Sequence, residues 1–214
     1  MKKKMMALVL CVALVAVAAV GATMAYFTDT KTATNTFTVG NVEITLDEAK
    51  VDLNGECVKN PDGTLADRVT ENAYKLIPGH TYVKDPTITV VKGSEECYVR
   101  AIVTINKAQE LDAIFAPGVE LNTILTGTNL AKWECKSVTK DEAKNTRTYT
   151  LWYKETVNAA DAAQKLAPVF TQLVVPENLT RDQLETLEGL EITVEANAIQ
   201  TEGFTDAAEA WDNF

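Results

Sequence analysis

Leu190 to Gln200 alternates without interruption: Leu190, Ile192, Val194, Ala196 and Ala198 are apolar, while Glu191, Thr193, Glu195 and Asn197 are polar. A period of two sends successive side chains to opposite faces of a pleated strand, so this stretch is a half-buried β-strand. The same pattern recurs in shorter form. Val99, Ala101, Val103 and Ile105 share one face of a strand over Tyr98–Ile105, and Tyr149, Leu151 and Tyr153 share one over Arg147–Lys154. Thr87–Val91, Lys132–Val138 and Pro168–Val175 are further strands, and the link Lys92-Gly93-Ser94 predicts a hairpin between the first of these and Tyr98–Ile105. Val42, Ile44 and Leu46 alternate in the phase opposite to Phe37 and Val39, with the slip at Gly40-Asn41, as at a bulge or sheet corner.

Helical signals are confined to the connections and to the segment after the last strand. They cover Ala108–Ala116 before Pro117-Gly118, a turn or two in the Ala-rich Asn158–Ala167, a segment capped by Thr180 and running through Leu187, and Thr205–Phe214. Asn54-Gly55 and Asn60-Pro61-Asp62-Gly63 mark turns in an acidic surface excursion over Asp47–Asn72, with a small hairpin expected across the Pro-Asp-Gly turn. Short half-buried strands with helices only between them predict an all-β fold, an antiparallel jelly-roll-like β-sandwich.

The N-terminus obeys a different rule. Lys2, Lys3 and Lys4 precede sixteen unbroken apolar residues, Met5 to Val20, and then Gly21-Ala22-Thr23-Met24-Ala25. A charged start, an apolar core and small residues before a cut are the layout of a secretory signal helix. Residues 1–25 are therefore expected to be a signal peptide cut after Ala25, with Thr23 and Ala25 as the small residues and Tyr26 as the new N-terminus. Residues 26–214 form the sandwich domain. A retained membrane anchor is the alternative, but the run is slightly short for a span.

The 214 residues carry 20 Lys and Arg against 30 Asp and Glu, net −10, and loss of the three leading lysines makes this −13. Such a charge argues against nucleic acid, whose phosphates are held by Lys and Arg. It also means that self-association must be driven by something other than net charge attraction. Cys57, Cys97 and Cys135 remain after the signal, at spacings that match no zinc pattern, either as unpaired thiols or as one disulfide with a thiol left over.

The only histidine is His80, in the turn after Pro78-Gly79, so a site with several histidine ligands is excluded. There is no His-Glu-x-x-His helix and no base for a cysteine nucleophile other than His80. Glu95-Glu96 and Asp141-Glu142 are adjacent acids in turns, and the region of Asp62 and Asp67 lacks the spacing of an EF-hand. The expectation is a protein without catalytic residues, cofactor or metal site.

Ala25-Tyr26-Phe27-Thr28-Asp29, then Thr34-Asn35-Thr36-Phe37-Thr38-Val39-Gly40 and Val42-Glu43-Ile44, resemble the start of TasA/camelysin-type secreted proteins. Ile77-Pro78-Gly79, Lys84-Asp85-Pro86-Thr87-Ile88-Thr89-Val90 and Cys97-Tyr98-Val99-Arg100 continue the resemblance. The end, Ile199–Phe204 with Ala208–Trp211, is similar to a clostridial-type branch, whereas Leu111 to Gln183 matches nothing in the pattern. The resemblance implies a Gram-positive envelope or biofilm-matrix protein whose signal is removed by a SipW-type signal peptidase, membrane-bound only before that cut. Some relatives carry the camelysin label and are classed as metallopeptidases. TasA builds extracellular fibres in which the N-terminal strand of one subunit completes the sheet of the next. Here the Thr-rich segment 26–39 is the candidate donor strand, with Phe27, Phe37 and Val39 as its anchors; pairing of the same segment within its own sheet, giving a monomer, is the alternative. The other expectation is a monomeric sandwich that binds surface glycans or proteins through exposed aromatic residues such as Trp133 and Trp152.

Overall fold

The computed structural model describes residues 41–115 and 121–214. The signal segment, the phase slip at Gly40, Thr23, Ala25, Tyr26, Phe27, Phe37 and Val39 lie outside them.

The chain runs β1 (Ile44–Asp47), β2 (Thr81–Val83), β3 (Thr87–Val90), β4 (Cys97–Asn106), α1 (Ala108–Phe115), a 3-10 turn at Leu121–Thr123, β5 (Leu125–Thr126), β6 (Trp133–Asp141), β7 (Thr146–Tyr153), β8 (Gln164–Lys165), β9 (Gln172–Val174), α2 (Arg181–Thr186), β10 (Ile192–Gln200) and α3 (Ala207–Asp212). Three sheets form, ordered β1-β3-β8, β10-β4-β7-β6 and β2-β9-β5, and every pairing between these strands is antiparallel. The all-β antiparallel expectation holds at this level.

β4 sets the core. Cys97, Val99, Ala101, Val103 and Ile105 are buried, and the residues between them are half-buried. They pack with Tyr149 and Leu151 of β7, Trp133 of β6, Ile88 and Val90 of β3, and Tyr82, Leu125 and Leu173 of the third sheet in one apolar cluster. Removing such residues from water is the main favourable term in folding. Trp133 brings its one polar atom with it: its indole N–H donates to the Ala167 carbonyl at 2.9 Å, which makes burial of the ring affordable.

The hairpin expected between Thr87–Val91 and Tyr98–Ile105 does not form. β3 pairs with β1 and β8, whereas β4 pairs with β10 and β7. The link through Gly93 instead carries the chain from one sheet to another. The Ala-rich stretch after Asn158 is not helical either. Gln164–Lys165 pairs with β3, and the Leu166 N–H donates to the Ile88 carbonyl at 2.9 Å, so tertiary pairing overrides helix propensity. Other local signals are realised. Lys59 bridges Leu65 across the Pro61-Asp62-Gly63 turn. Thr180 and Gln183 form a reciprocal capping box on α2.

Candidate functional site

β10 and β6 are the two edges of the four-stranded sheet, and they are built differently. β6 has a register shift between Cys135 and Ser137 and carries Lys136 and Lys140. Bulges and lysines are the usual protection of an edge against pairing with another chain. β10 is nine residues long and has neither bulge, proline nor lysine.

Its hydrogen bonding shows which groups are free. The Asn106 N–H donates to the Glu191 carbonyl at 3.2 Å, and the Thr201 N–H donates to the Glu96 carbonyl at 2.9 Å. These bonds flank a continuous antiparallel register, so the odd-numbered residues of β10 bond to β4. The N–H and C=O groups of Ile192, Val194, Ala196, Ala198 and Gln200 therefore point to the outer edge. They have no main-chain partner among the described residues.

β1 is likewise an edge. Its residues bond to β3 on one side; on the other, among the described residues, main-chain bonds begin only past its end, where Glu48 makes a two-way bridge to Val69. Leu46, Asp47 and Glu48 then share one groove with Glu191, Ile192, Thr193 and Val194 of the second sheet. Leu46, Ile192 and Val194 are each only partly buried against the core. Among the described residues the groove thus combines unpartnered main-chain donors and acceptors of both strands with half-covered apolar side chains, as an added strand requires.

A polar network closes one end of it. Arg68 donates from Nε to Asp47 at 2.5 Å, from Nη1 to Asp85 at 2.8 Å, and from Nη2 to the Asp85 carbonyl at 2.9 Å and the Thr87 hydroxyl at 2.9 Å. Burial would lower the pKa of this guanidinium, but the two carboxylates raise it overall. Beside it, Lys84 Nζ donates to Glu48 Oε2 at 2.9 Å, and Asn72 Nδ2 donates to Glu48 Oε1 at 2.9 Å. Tyr74 lies against Lys84, with Nζ 5.4 Å from the ring centre. Burial and the nearby Glu48 charge push the Tyr74 phenol well up. Sequence reasoning missed Glu48, Arg68, Asn72 and Lys84 as a group. The one available signal was a lysine inside the strand-like run Tyr82-Val83-Lys84.

The residues weighed for other chemistry are spoken for. His80 Nε2 donates to the Asn54 carbonyl at 2.6 Å, and its ring packs on Tyr82. Cys57, Cys97 and Cys135 are all free thiols. Asp62 accepts from the N–H and hydroxyl of Thr64, and Asp141 accepts from the N–H groups of Ala143 and Lys144. Among the described residues no three His, Cys, Asp or Glu side chains converge as a metal site. Trp133 is core, and Trp152 lies half-buried between Trp211 and Lys136, so neither is an open platform for a sugar.

A family model described as Camelysin metallo-endopeptidase matches residues 1–73, which supports the TasA/camelysin-like resemblance over the N-terminal third. No curated protein and no solved structure matches the chain. The metal implied by that description does not fit the described residues. His80 is the chain's only imidazole, and its Nε2 is committed to a backbone carbonyl.

Proposed function

Taking as premise the TasA/camelysin-like family that its first 73 residues resemble, we propose that this chain is a secreted, non-catalytic structural protein of the cell envelope or biofilm matrix. A SipW-type signal peptidase cuts after Ala25 and frees the segment that begins at Tyr26. Before the cut the start of that segment is tethered to the membrane. Afterwards it adds as a strand to the groove between β1 and β10 of the next molecule, completing a jelly-roll-like sandwich.

The observation that carries this reading is the contrast between the two edges of one sheet: β6 is bulged and lysine-bearing, while β10 is long, regular and open among the described residues. Main-chain hydrogen bonds to Ile192, Val194, Ala196 and Ala198 supply affinity. Phe27, Phe37 and Val39 supply register through the apolar groove floor. The contact is heterologous and need not close on itself, so it is able to propagate into an open filament. It also needs no net charge attraction, in keeping with a cleaved chain whose net charge is −13 after Lys2, Lys3 and Lys4 leave the −10 of the full sequence.

N-terminal sequencing of the exported protein, followed by negative-stain microscopy of the same material, tests the reading. The expected result is a first residue of Tyr26 and extended filaments. Intact Met1 in a lipid-embedded product, or a monodisperse particle at high concentration, contradicts it.

A further inference from the structure

From the arrangement of Lys84, Glu48 and Asn72 we propose that this chain cross-links itself through an amide bond between Lys84 Nζ and Asn72 Cγ, with Glu48 as the acid-base catalyst. The three side chains come from separate segments. Glu48 follows β1, Asn72 ends the surface excursion, and Lys84 follows β2. The fold brings the lysine ammonium and the asparagine amide to the two oxygens of one carboxylate, each at 2.9 Å. The side chains of Lys84 and Glu48 are 9% and 7% exposed.

Each part of an acyl transfer is present. Lys84 is the nucleophile once it has lost a proton, and the carboxylate bonded to it is the acceptor for that proton. Asn72 is the electrophile. Its Oδ1 accepts from the Val51 N–H at 3.0 Å, a fixed backbone donor where negative charge develops during attack. Its Nδ2 donates to Glu48 and to the Ala49 carbonyl at 2.9 Å, so the leaving nitrogen is held on the group that protonates it.

Tyr74 walls the lysine, and Arg68 fixes the backbone on either side by binding Asp47 and Asp85, the neighbours of Glu48 and Lys84. Both reacting groups are thus held on one carboxylate, which keeps them within reach of each other and lowers the entropy cost of their meeting.

The step balances. Lys84 gives a proton to Glu48, its lone pair attacks Asn72 Cγ, and a Nζ–Cγ bond forms. Glu48 protonates Nδ2, the Cγ–Nδ2 bond breaks, and the nitrogen departs as ammonium, taking the surplus proton and leaving Glu48 a carboxylate. Nothing is oxidised or reduced, and no co-reactant is needed. The product ties the end of β2 to the excursion that follows β1, beside the proposed docking groove.

The test is mass spectrometry of the full chain after folding. Formation of the bond removes one ammonia, about 17 Da. A succinimide at Asn54-Gly55 would remove the same mass, so localisation decides. Trypsin should fail to cut after Lys84 and should release Val69–Lys75 joined to Leu76–Lys92. Glu48→Gln, which keeps the shape and removes the proton carrier, should give the two peptides unjoined and restore cleavage after Lys84. The proposal is overturned if the folded wild-type chain yields both peptides unjoined at full mass. That result needs no variant to fold. A joined pair in Glu48→Gln would overturn the role given to Glu48.

Discussion

Arg68 Nη1 donates to Asp85 Oδ2 at 2.8 Å while its Nε holds Asp47, so one guanidinium ties the end of β1 to the entry of β3. Among the described residues Arg68 is the ion-pair partner of both carboxylates, Asp85 also accepts from the Ala49 N–H at 2.6 Å, and the Asp47 and Asp85 side chains are 33% and 22% exposed. Arg68→Ala leaves both without this partner and should destabilise the fold by about 2 kcal/mol, less than a fully buried pair would lose. Chemical denaturation of the variant against wild type measures this. An unchanged midpoint would remove Arg68 from the account of how the groove is held.

A second prediction concerns the phase of β10. The Ala196 N–H points to the open edge, whereas the Glu195 N–H belongs to the ladder with β4. Ala196→Pro should cost the monomer about 1 kcal/mol but stop elongation, and Glu195→Pro should cost about 3 kcal/mol or more by breaking the ladder. Thermal melts paired with light scattering separate the two. Equal melting losses would mean that the edge is assigned to the wrong phase.

Gly55 has φ +79°, and a Cβ there would sit 2.6 Å from Tyr82 Cβ. Tyr82 is fully buried and cannot give way cheaply. Gly55→Ala should therefore lose about 2 kcal/mol or more, through both the backbone conformation and the contact. A variant as stable as wild type in urea would contradict the close approach of this turn to the core.

Acid sensitivity is predicted at Asp112. Burial alone would raise its pKa, but hydrogen bonds from Arg147 at 2.6 Å and Lys140 at 3.1 Å hold its carboxyl below the usual range. A lowered folded-state pKa adds stability that is fully present above the unfolded value, about 3.9, and disappears as pH falls through the lowered one. Asp112→Asn should thus melt earlier than wild type at pH 7, with the difference shrinking toward pH 2. A gap that widens in acid would contradict a lowered folded-state pKa at Asp112.

The thiols should separate by reactivity. Burial pushes Cys97 up to about 11, and it lies fully covered beside the Val157 carbonyl. Cys135 is exposed. Alkylation of the native protein near pH 8 should label Cys135 first and leave Cys97 unmodified until the chain unfolds. Equal labelling of Cys97 would show that the sheet around β4 opens readily.

Periodicity in the sequence reveals faces but not partners, and the outcome divides along that line. Val99, Ala101, Val103 and Ile105 could be assigned to the core because alternation is local. The pairing of β4 with β10 joins Cys97 to Gln200 across about half the chain, and no local pattern encodes it. For the same reason β3 and β4 looked like a hairpin, although each finds its neighbours elsewhere. The Thr180 capping box was legible because all its atoms lie within one helical turn. Glu48, Asn72 and Lys84 were not, because 24 residues separate the first pair and 36 separate Glu48 from Lys84. The groove could be anticipated only as a need for an edge, not as these residues.

The most direct measurement compares two purified chains by negative-stain microscopy and sedimentation, one beginning at Tyr26 and one at Gly40. The account predicts filaments from the first, and from the second a folded monomer that does not elongate but caps when mixed with the first. Filaments of equal length from the chain that lacks residues 26–39 would contradict it.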